Sequence, residues 1–379
     1  MQSKDEIQKI NTVVEAVAAA TALRKEEQLM LAHDTTIDIA VAVAGSLPHG
    51  AQLMFAPETP EATVVAAVTA LRAVLSFHPD TELNTVTRTV TLLREGSFLR
   101  LDPKTSSEMA RVIAALLPDY AVVCLAPQTP LETAVALASA LRTSVTLSFP
   151  HSLSADTAIA AASALSVGVL LHYHPNLETE TAKAVARALP NGSILRLNAT
   201  MSNIKDVVNE LGAGVGCLLD RETAISTVVS AACALPAGVS LLIDPKIEKI
   251  KAIAAARALT TGAILFLHPE MPIATVEAAV QVLRKGTRLW FDGSTPRATI
   301  TAAIKVLPAG VTFSHPVLND VAASAARRHL SFYPETANIT GQKRRTSETA
   351  SSSSSSSSSI DPSTLYYNPY SFGSSHHST

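Results

Sequence analysis

Short apolar segments recur along the chain, and within each one apolar positions alternate with variable ones. The stretches 53–60, 123–130 and 265–272 all read apolar-x-apolar-x-Pro, followed by a polar step and a second proline. Alternation with a period of two buries one face of a short strand. Proline then ends the strand, because it has no N–H to donate to the ladder.

The segments return at a nearly constant interval. Anchored on the first proline, equivalent positions fall at 33, 57, 79, 103, 127, 151, 175, 199, 221, 245, 269, 293, 315 and 334. Successive intervals are 24 residues, except for three of 22 and a last one of 19. A fixed period of this length is the sequence signature of a solenoid.

Each unit is predicted to form a strand, a turn, a helix and a second turn. Thr59, Thr129 and Thr295 are suited to the helix N-cap, each followed by proline at the first helical position. An alanine-rich run such as 63–71 gives the helix, and a Leu-Pro-x-Gly segment such as 235–238 ends it. The predicted fold class is therefore α/β: a right-handed solenoid, or horseshoe, of about 14 strand–helix repeats of 24 residues, with a parallel sheet on the concave side. A purely helical repeat is the competing fold, and the period-two strands argue against it.

Three regions are expected along the chain. Residues 1–28 are more polar and predict an N-terminal capping helix over the first core layer. Residues 29–335 form the solenoid, with strands near 53–55, 99–101, 241–243 and 265–267. Residues 336–379 contain a long serine run and too little apolar surface to offset chain entropy, so they are predicted to be a disordered C-terminal tail.

Composition excludes several classes of protein. The 379 residues are 47% hydrophobic and 16% charged, with a formal net charge of −2, so the clustered basic excess of a nucleic-acid-binding protein is absent. Three cysteines without close pairing favour a reducing compartment, here the cytoplasm. No signal-peptide pattern and no apolar run of membrane-spanning length occurs, so no membrane span is expected. No cofactor motif is present.

The candidate binding surface comes from the strand positions that alternate with the buried ones. Four apolar side chains in this set, including the single tryptophan, are predicted to form an exposed ridge on consecutive strands: Leu218, Leu242, Phe266 and Trp290. A charged rim is predicted directly before the anchor positions, at Asp220, Asp244, His268 and Asp292. An aromatic ridge with a charged rim is typical of a protein-binding hot spot. Burial of the ridge by loops or strand twist is the alternative.

Metal binding and acid–base catalysis are less well supported by these strand positions than protein binding. Asp244, His268 and Asp292 are neighbours that could hold a metal ion or exchange protons, but a flat ladder splays its side chains instead of converging them. No metal ligand, no catalytic residue and no enzymatic activity is therefore predicted, and an enzyme or metal-binding protein using this row stays the alternative. His172 and Arg196, with Arg100 and His174, form a polar middle segment.

The repeat resembles the leucine-rich repeat of the helix-bearing, ribonuclease-inhibitor type across residues 29–334. The resemblance is carried by strands such as 99–101 (Leu-Arg-Leu) and helix endings such as 186–189 (Ala-Arg-Ala-Leu). The family's asparagine after the strand is replaced by proline at several units: Pro57, Pro79, Pro103, Pro127, Pro175, Pro245 and Pro269. A divergent or distinct repeat family therefore stays open.

The resemblance implies a scaffold that binds a protein partner on the concave strand face. Together with the serine-rich tail, the chain also resembles effectors that intracellular bacteria inject into host cells, which implies a location in the host cytosol. A structural repeat that associates with itself is a further class to be separated by experiment.

Overall fold

The repeat predicted from the sequence is present as alternating strands and helices. The computed structural model describes residues 13–24, 27–71, 73–174, 176–197, 203–219, 221–291 and 293–314. Within these ranges there are thirteen strands: β1 (Gln28–Leu31), β2 (Gln52–Phe55), β3 (Val74–Phe77), β4 (Phe98–Arg100), β5 (Val122–Cys124), β6 (Thr146–Phe149), β7 (Leu170–Tyr173), β8 (Ile194–Arg196), β9 (Gly216–Leu219), β10 (Ser240–Ile243), β11 (Ile264–Leu267), β12 (Arg288–Trp290) and β13 (Thr312–Ser314). The described ranges also contain thirteen helices: α1 (Val13–Ala22), α2 (Ile37–Ser46), α3 (Glu61–Ala70), α4 (Leu83–Thr91), α5 (Ser107–Leu116), α6 (Leu131–Ala140), α7 (Ala155–Ser163), α8 (Thr179–Ala188), α9 (Ile204–Val208), α10 (Ile225–Ala234), α11 (Lys249–Ala258), α12 (Ile273–Gln281) and α13 (Arg297–Lys305).

The strands form one parallel sheet in chain order, β1 to β13. The register advances by one repeat from strand to strand, so that Leu241 lies beside Leu265 and Ile243 beside Leu267. A helix follows each of the first twelve strands and separates it from the next, as a parallel connection requires. The predicted α/β solenoid and its four strand positions are confirmed.

The core lies between the sheet and the helices. It takes alternate residues of each strand together with the alanines and valines of the helix faces. The strand residues predicted to be buried are buried: Leu101, Leu125, Leu195, Ile243 and Leu267. Small helix residues such as Ala255 and Ala279 are fully enclosed, which allows neighbouring helices to approach closely.

A ladder of backbone hydrogen bonds joins the turns that lead into strands β4 to β13. Glycines with φ near +85°, among them Gly238 and Gly262, hold the left-handed conformation that side chains disfavour. The N–H of Gly238 donates to the carbonyl of Gly262 at 2.9 Å, and equivalent bonds run from Gly168 to Gly310. Tyr120 and Ser144, also at positive φ, continue the ladder without glycine. The turns that end the helices, whether or not they read Leu-Pro-x-Gly, therefore also link the units.

The turn from strand to helix corrects the predicted caps. The N-caps of α3, α6 and α13 are Pro60, Pro130 and Pro296, without a side-chain hydrogen bond. Thr59 instead ends the preceding β-turn, where its N–H donates to the carbonyl of Ala56 at 3.0 Å. Threonine is therefore one residue too early to cap the helix.

Some sequence expectations fall partly or wholly outside the described residues. Helix α1 and the start of β1 lie within the segment 1–28, and their role as a cap stays a prediction. The tail 336–379 and the fourteenth repeat, anchored at position 334, are outside the described ranges. The handedness of the solenoid also stays a prediction. Among the described helices, none is long and apolar enough to cross a membrane.

Candidate binding surface

The strand residues that point away from the helices form what we call the helix-free face of the sheet. Each strand contributes two positions to it, two residues apart. The first row contains Gln28, Gln52, Val74, Phe98, Val122, Thr146, Leu170, Ile194, Gly216, Ser240, Ile264, Arg288 and Thr312. The middle row contains Met30, Met54, Ser76, Arg100, Cys124, Ser148, His172, Arg196, Leu218, Leu242, Phe266, Trp290 and Ser314. The predicted ridge belongs to the middle row.

The ridge residues are neighbours, as predicted, but most of the ridge is not exposed. Leu218 pairs with Leu242, Leu242 with Phe266, and Phe266 with Trp290 in the strand register. The exposed fractions are 1% for Leu218, 3% for Leu242 and 0% for Phe266. The expectation of exposure is therefore wrong for these three, and the alternative of a buried ridge describes them better. Their role in binding a partner stays a prediction.

The physical reason is a second apolar cluster on the helix-free face. Leu218, Leu242 and Phe266 pack with Leu170 and Ile194 of the first row. Gly216 leaves space in the first row: a Cβ there would lie 2.8 Å from Leu242 Cδ1 and 3.3 Å from Ile194 Cγ1. The side chains of Leu242 and Ile194 therefore occupy the space that a side chain at position 216 would fill, and the residues of the cluster shield one another from solvent.

Trp290 is the ridge member that keeps an accessible surface. It is half-buried at the end of the cluster, and its ring meets that of Phe266 edge to face at a centroid distance of 5.4 Å. Arg288, two residues earlier on the same face of β12, is exposed. A rigid aromatic side chain and an arginine therefore lie side by side where the cluster ends.

The predicted charged rim has a structural role in the turns. Asp244 and His268 occupy the first position of a β-turn, and both are buried, at 3% and 1% exposure. Asp244 Oδ1 accepts the N–H of Lys246 at 2.7 Å, and His268 Nδ1 accepts the N–H of Glu270 at 3.1 Å. Both side chains are therefore held within their own turns, and their role in binding stays a prediction. Asp220 and Asp292 lie outside the described residues.

The same capping arrangement recurs in other units. Asp102 Oδ1 accepts the N–H of Lys104 at 2.8 Å, and the Nδ1 atoms of His78 and His174 accept the N–H two residues later. A ring nitrogen that accepts a hydrogen bond carries no proton, so these histidines have their proton on Nε2. We call the first positions of these turns the turn row; its members with this hydrogen bond are His78, Asp102, His174, Asp244 and His268. One acceptor atom of Asp244 and one of His268 are therefore engaged by the backbone, and an acid–base or metal role of this row stays the alternative.

The polar middle segment is confirmed as a set of neighbours on one face. Arg100 pairs with Cys124, Cys124 with Ser148, and Ser148 with His172, while Arg196 precedes Leu218 in the same row. Both arginines are half-buried, whereas Ser148 and His172 are buried.

Electrostatics in this segment favours neutral groups between the two arginines. Burial lowers the pKa of His172 well below its usual value, and the charge of Arg196 and the nearby His174 act in the same direction. Burial raises the pKa of the Cys124 thiol to about 11, although the charge of Arg100 and the Ser148 hydroxyl oppose the shift. The thiol is therefore protonated at neutral pH and is a poor nucleophile.

The residues that could bind a metal ion or react as thiols are scattered in the described part of the chain. No three His, Cys, Asp or Glu side chains within the described ranges are arranged to hold a metal ion. All three cysteines are free: Cys124 is half-buried, Cys217 is buried in the main core and Cys233 is exposed on a helix.

Sequence reasoning missed two features of this surface. Arg288 belongs to the first row, and following the alternation two residues back from Trp290 would have found it. The second missed feature is the capped turn after the strand. Aspartate is favoured at the first position of such a turn and proline at the second, so the Asp-Pro pairs at 102–103 and 244–245 would have indicated it.

Comparison with known proteins identifies no family. No protein-family model matches the chain, and no curated protein matches it. The class that the structure defines is a solenoid of strand–helix repeats with a single parallel sheet.

Proposed function

We propose that the protein is an interaction scaffold that binds a protein partner on the helix-free face of its sheet. The observation that carries the proposal is Trp290, half-buried and supported by the buried Phe266, with the exposed Arg288 beside it. Tryptophan and arginine contribute most often to binding hot spots, especially where the backbone beneath them is rigid. The proposed contact surface is therefore centred on β12, with Leu218 and Leu242 as its supporting layer.

The finer parts of the proposal come from the resemblance drawn from the sequence. A leucine-rich-repeat-like horseshoe would present this face to a partner along much of its length. The serine-rich segment at the C-terminal end of the sequence accords with a bacterial effector delivered into a host cell. Both statements are proposals that extend the class of solenoid repeat protein.

A site-specific cross-linking experiment tests the location of the partner. A photo-reactive amino acid replaces Thr312, which is exposed on the helix-free face beside Arg288, and in a second protein it replaces Ile250, which is 61% exposed on α11. We expect a partner identified by mass spectrometry to cross-link through position 312 and not through position 250.

The same experiment with Trp290→Ala gives the control for specificity. Loss of a central aromatic anchor typically weakens binding by 2 kcal/mol or more, about thirtyfold, so the cross-link should fall strongly while the circular dichroism spectrum is unchanged. Cross-linking through position 250 alone, or equal yields with and without Trp290, would contradict the proposal.

A further inference from the structure

Three arginines lie on the helix-free face at regular intervals. Arg100 is on β4, Arg196 on β8 and Arg288 on β12, so that four strand positions separate each from the next. The first two are half-buried and the third is exposed. We infer that this face binds an acidic segment of the protein partner, which crosses the strands and places carboxylates at the three arginines; the inference rests on the proposed function.

The charge on the two strand rows is of one sign. From β1 to β13, all of which the structure describes, neither row contains an aspartate or glutamate. The described carboxylates of the adjoining turn row, Asp102 and Asp244, each accept a backbone N–H of their own turn. Neither row therefore supplies a carboxylate to compensate the charge of Arg100 or Arg288.

Arg100 is the clearest case, in the described part of the chain, of an arginine on this face without a carboxylate partner. Within the described residues its guanidinium has no carboxylate within ion-pair distance, although Asp102 lies only two residues later, in the turn that follows β4. Arginines elsewhere on the molecule do pair: Arg187 with Glu210 at 2.7 Å and Arg142 with Asp119 at 3.6 Å. A half-buried cation without a counter-charge is costly to desolvate, and an incoming carboxylate compensates that cost with bidentate hydrogen bonds.

The spacing indicates the kind of anion. Strands in a sheet are about 4.8 Å apart, so four strand positions separate the arginine backbones by roughly 19 Å. An extended peptide rises about 3.3 Å per residue, so roughly six residues join one arginine to the next and about twelve span all three. Duplex DNA presents one charge every ~1.7 Å along its axis, and three such sparse cations would neutralise few of them. The spacing therefore favours an acidic peptide over nucleic acid.

The test uses the full chain and a defined peptide. The probe is a fluorescein-labelled twelve-residue peptide of alternating glutamate and serine, and its matched control has glutamine in place of glutamate. Binding is followed by fluorescence anisotropy at low ionic strength and by the emission of Trp290, the single tryptophan, which lies beside Arg288. We expect the glutamate peptide to bind at least tenfold more tightly than the glutamine peptide, and the difference to shrink as salt is added.

Variants locate the binding site. Arg100→Gln, Arg196→Gln and Arg288→Gln should each weaken binding of the glutamate peptide by about tenfold, because each removes a charged hydrogen bond. The matched control Arg257→Gln removes the same charge from the exposed end of helix α11 and should change the affinity less than twofold. Circular dichroism verifies the fold of each variant, and the comparison of the two peptides on the parent protein does not depend on any variant folding.

Each result supports or overturns the inference. Equal binding of both peptides, equal loss in Arg257→Gln, or tighter binding of a single-stranded DNA dodecamer would overturn it. If a partner cross-links through position 312 while the peptides bind equally, the inference fails and the proposed function stands. If the glutamate peptide binds as expected but cross-linking occurs only through position 250, the face binds acidic peptides, but the proposed function fails and the partner's own segment is overturned as the occupant.

Discussion

Single residues at the end of each strand decide how the chain turns into the helix. Asp102 occupies the first position of a turn, Pro103 the second, and the N–H of Thr105 closes the turn on the Asp102 carbonyl at 3.0 Å. The side chain of Asp102 then accepts the intervening N–H of Lys104. Proline fixes the backbone and the carboxylate satisfies a donor that the strand and helix cannot reach.

Substitution at Asp102 tests this role of the turn row. Asp102→Ala removes the acceptor and should lower the free energy of unfolding by about 1 kcal/mol. Asp102→Asn also removes the charge but keeps an oxygen acceptor, so it should cost clearly less. Urea unfolding followed by circular dichroism measures both. Equal losses in the two variants would show that the charge of Asp102, and not its hydrogen bond, is the source of the effect.

The buried His172 gives the stability a dependence on pH. Its pKa in the folded protein is well below the usual value of 6.5 because burial, the charge of Arg196 and the nearby His174 all disfavour the charged form. Below pH 6.5 the unfolded chain therefore binds a proton at this residue and the folded chain does not. The stability is fully present above pH 6.5 and is lost as the pH falls below it.

Replacing His172 should weaken that dependence. The residue contributes at most about 1.4 kcal/mol per pH unit below 6.5, until the folded form also titrates. In His172→Gln the free energy of unfolding should therefore fall less steeply between pH 6.5 and roughly pH 5 than in the parent. Urea unfolding at a series of pH values gives the slopes. Parallel curves for the two proteins would exclude His172 as a source of the pH dependence.

At the scale of elements, the sequence predicted strands, helices and turns well, because each leaves a local signal. Alternating apolar residues marked β10 and β11, and Leu-Pro-x-Gly at 235–238 marked the turn before β10. The hydrogen-bonded ladder that joins those turns was not predicted, since it depends on the stacking of consecutive units. Tyr120 and Ser144 occupy ladder positions at positive φ without the glycine that would reveal them.

Two glycines of opposite role test the ladder. Gly262 has φ +85°, and a Cβ there would lie 2.7 Å from the Ala237 Cβ, so Gly262→Ala should be destabilising by about 1–2 kcal/mol or more. Gly45 is in helix α2 with open space around it, so Gly45→Ala should be stabilising by about 0.5–1 kcal/mol. Thermal unfolding of the two variants shows the signs directly. A neutral Gly262→Ala would mean that the turn can relax and that the ladder is not under steric constraint.

Over the whole molecule, it was easier to predict which side chains lie on the helix-free face than to predict how far they are exposed to solvent. The alternation placed Leu218, Phe266 and Trp290 on one face, and the register confirms that they are neighbours. Exposure depends on how side chains from several strands share space, and a glycine at position 216 changed the outcome by admitting Leu242 and Ile194. Repeat periodicity encodes which face a residue takes, whereas packing between units decides whether it reaches solvent.

The described units interact with their neighbours in the chain: strands pair in chain order and each helix packs on the one before and after it. Stability in such an array is a sum of unit and interface terms. The destabilisation caused by a substitution in one unit should therefore decrease with distance along the chain. Leu171 on β7 is fully buried in the middle of the sheet, and Leu171→Ala should cost about 2–5 kcal/mol. Hydrogen exchange measured by mass spectrometry should then show the largest loss of protection in β6, β7 and β8, and little change in β2 or β12. Equal loss in every strand would instead identify the solenoid as one cooperative unit, in which the contacts between repeats outweigh the stability of any single repeat.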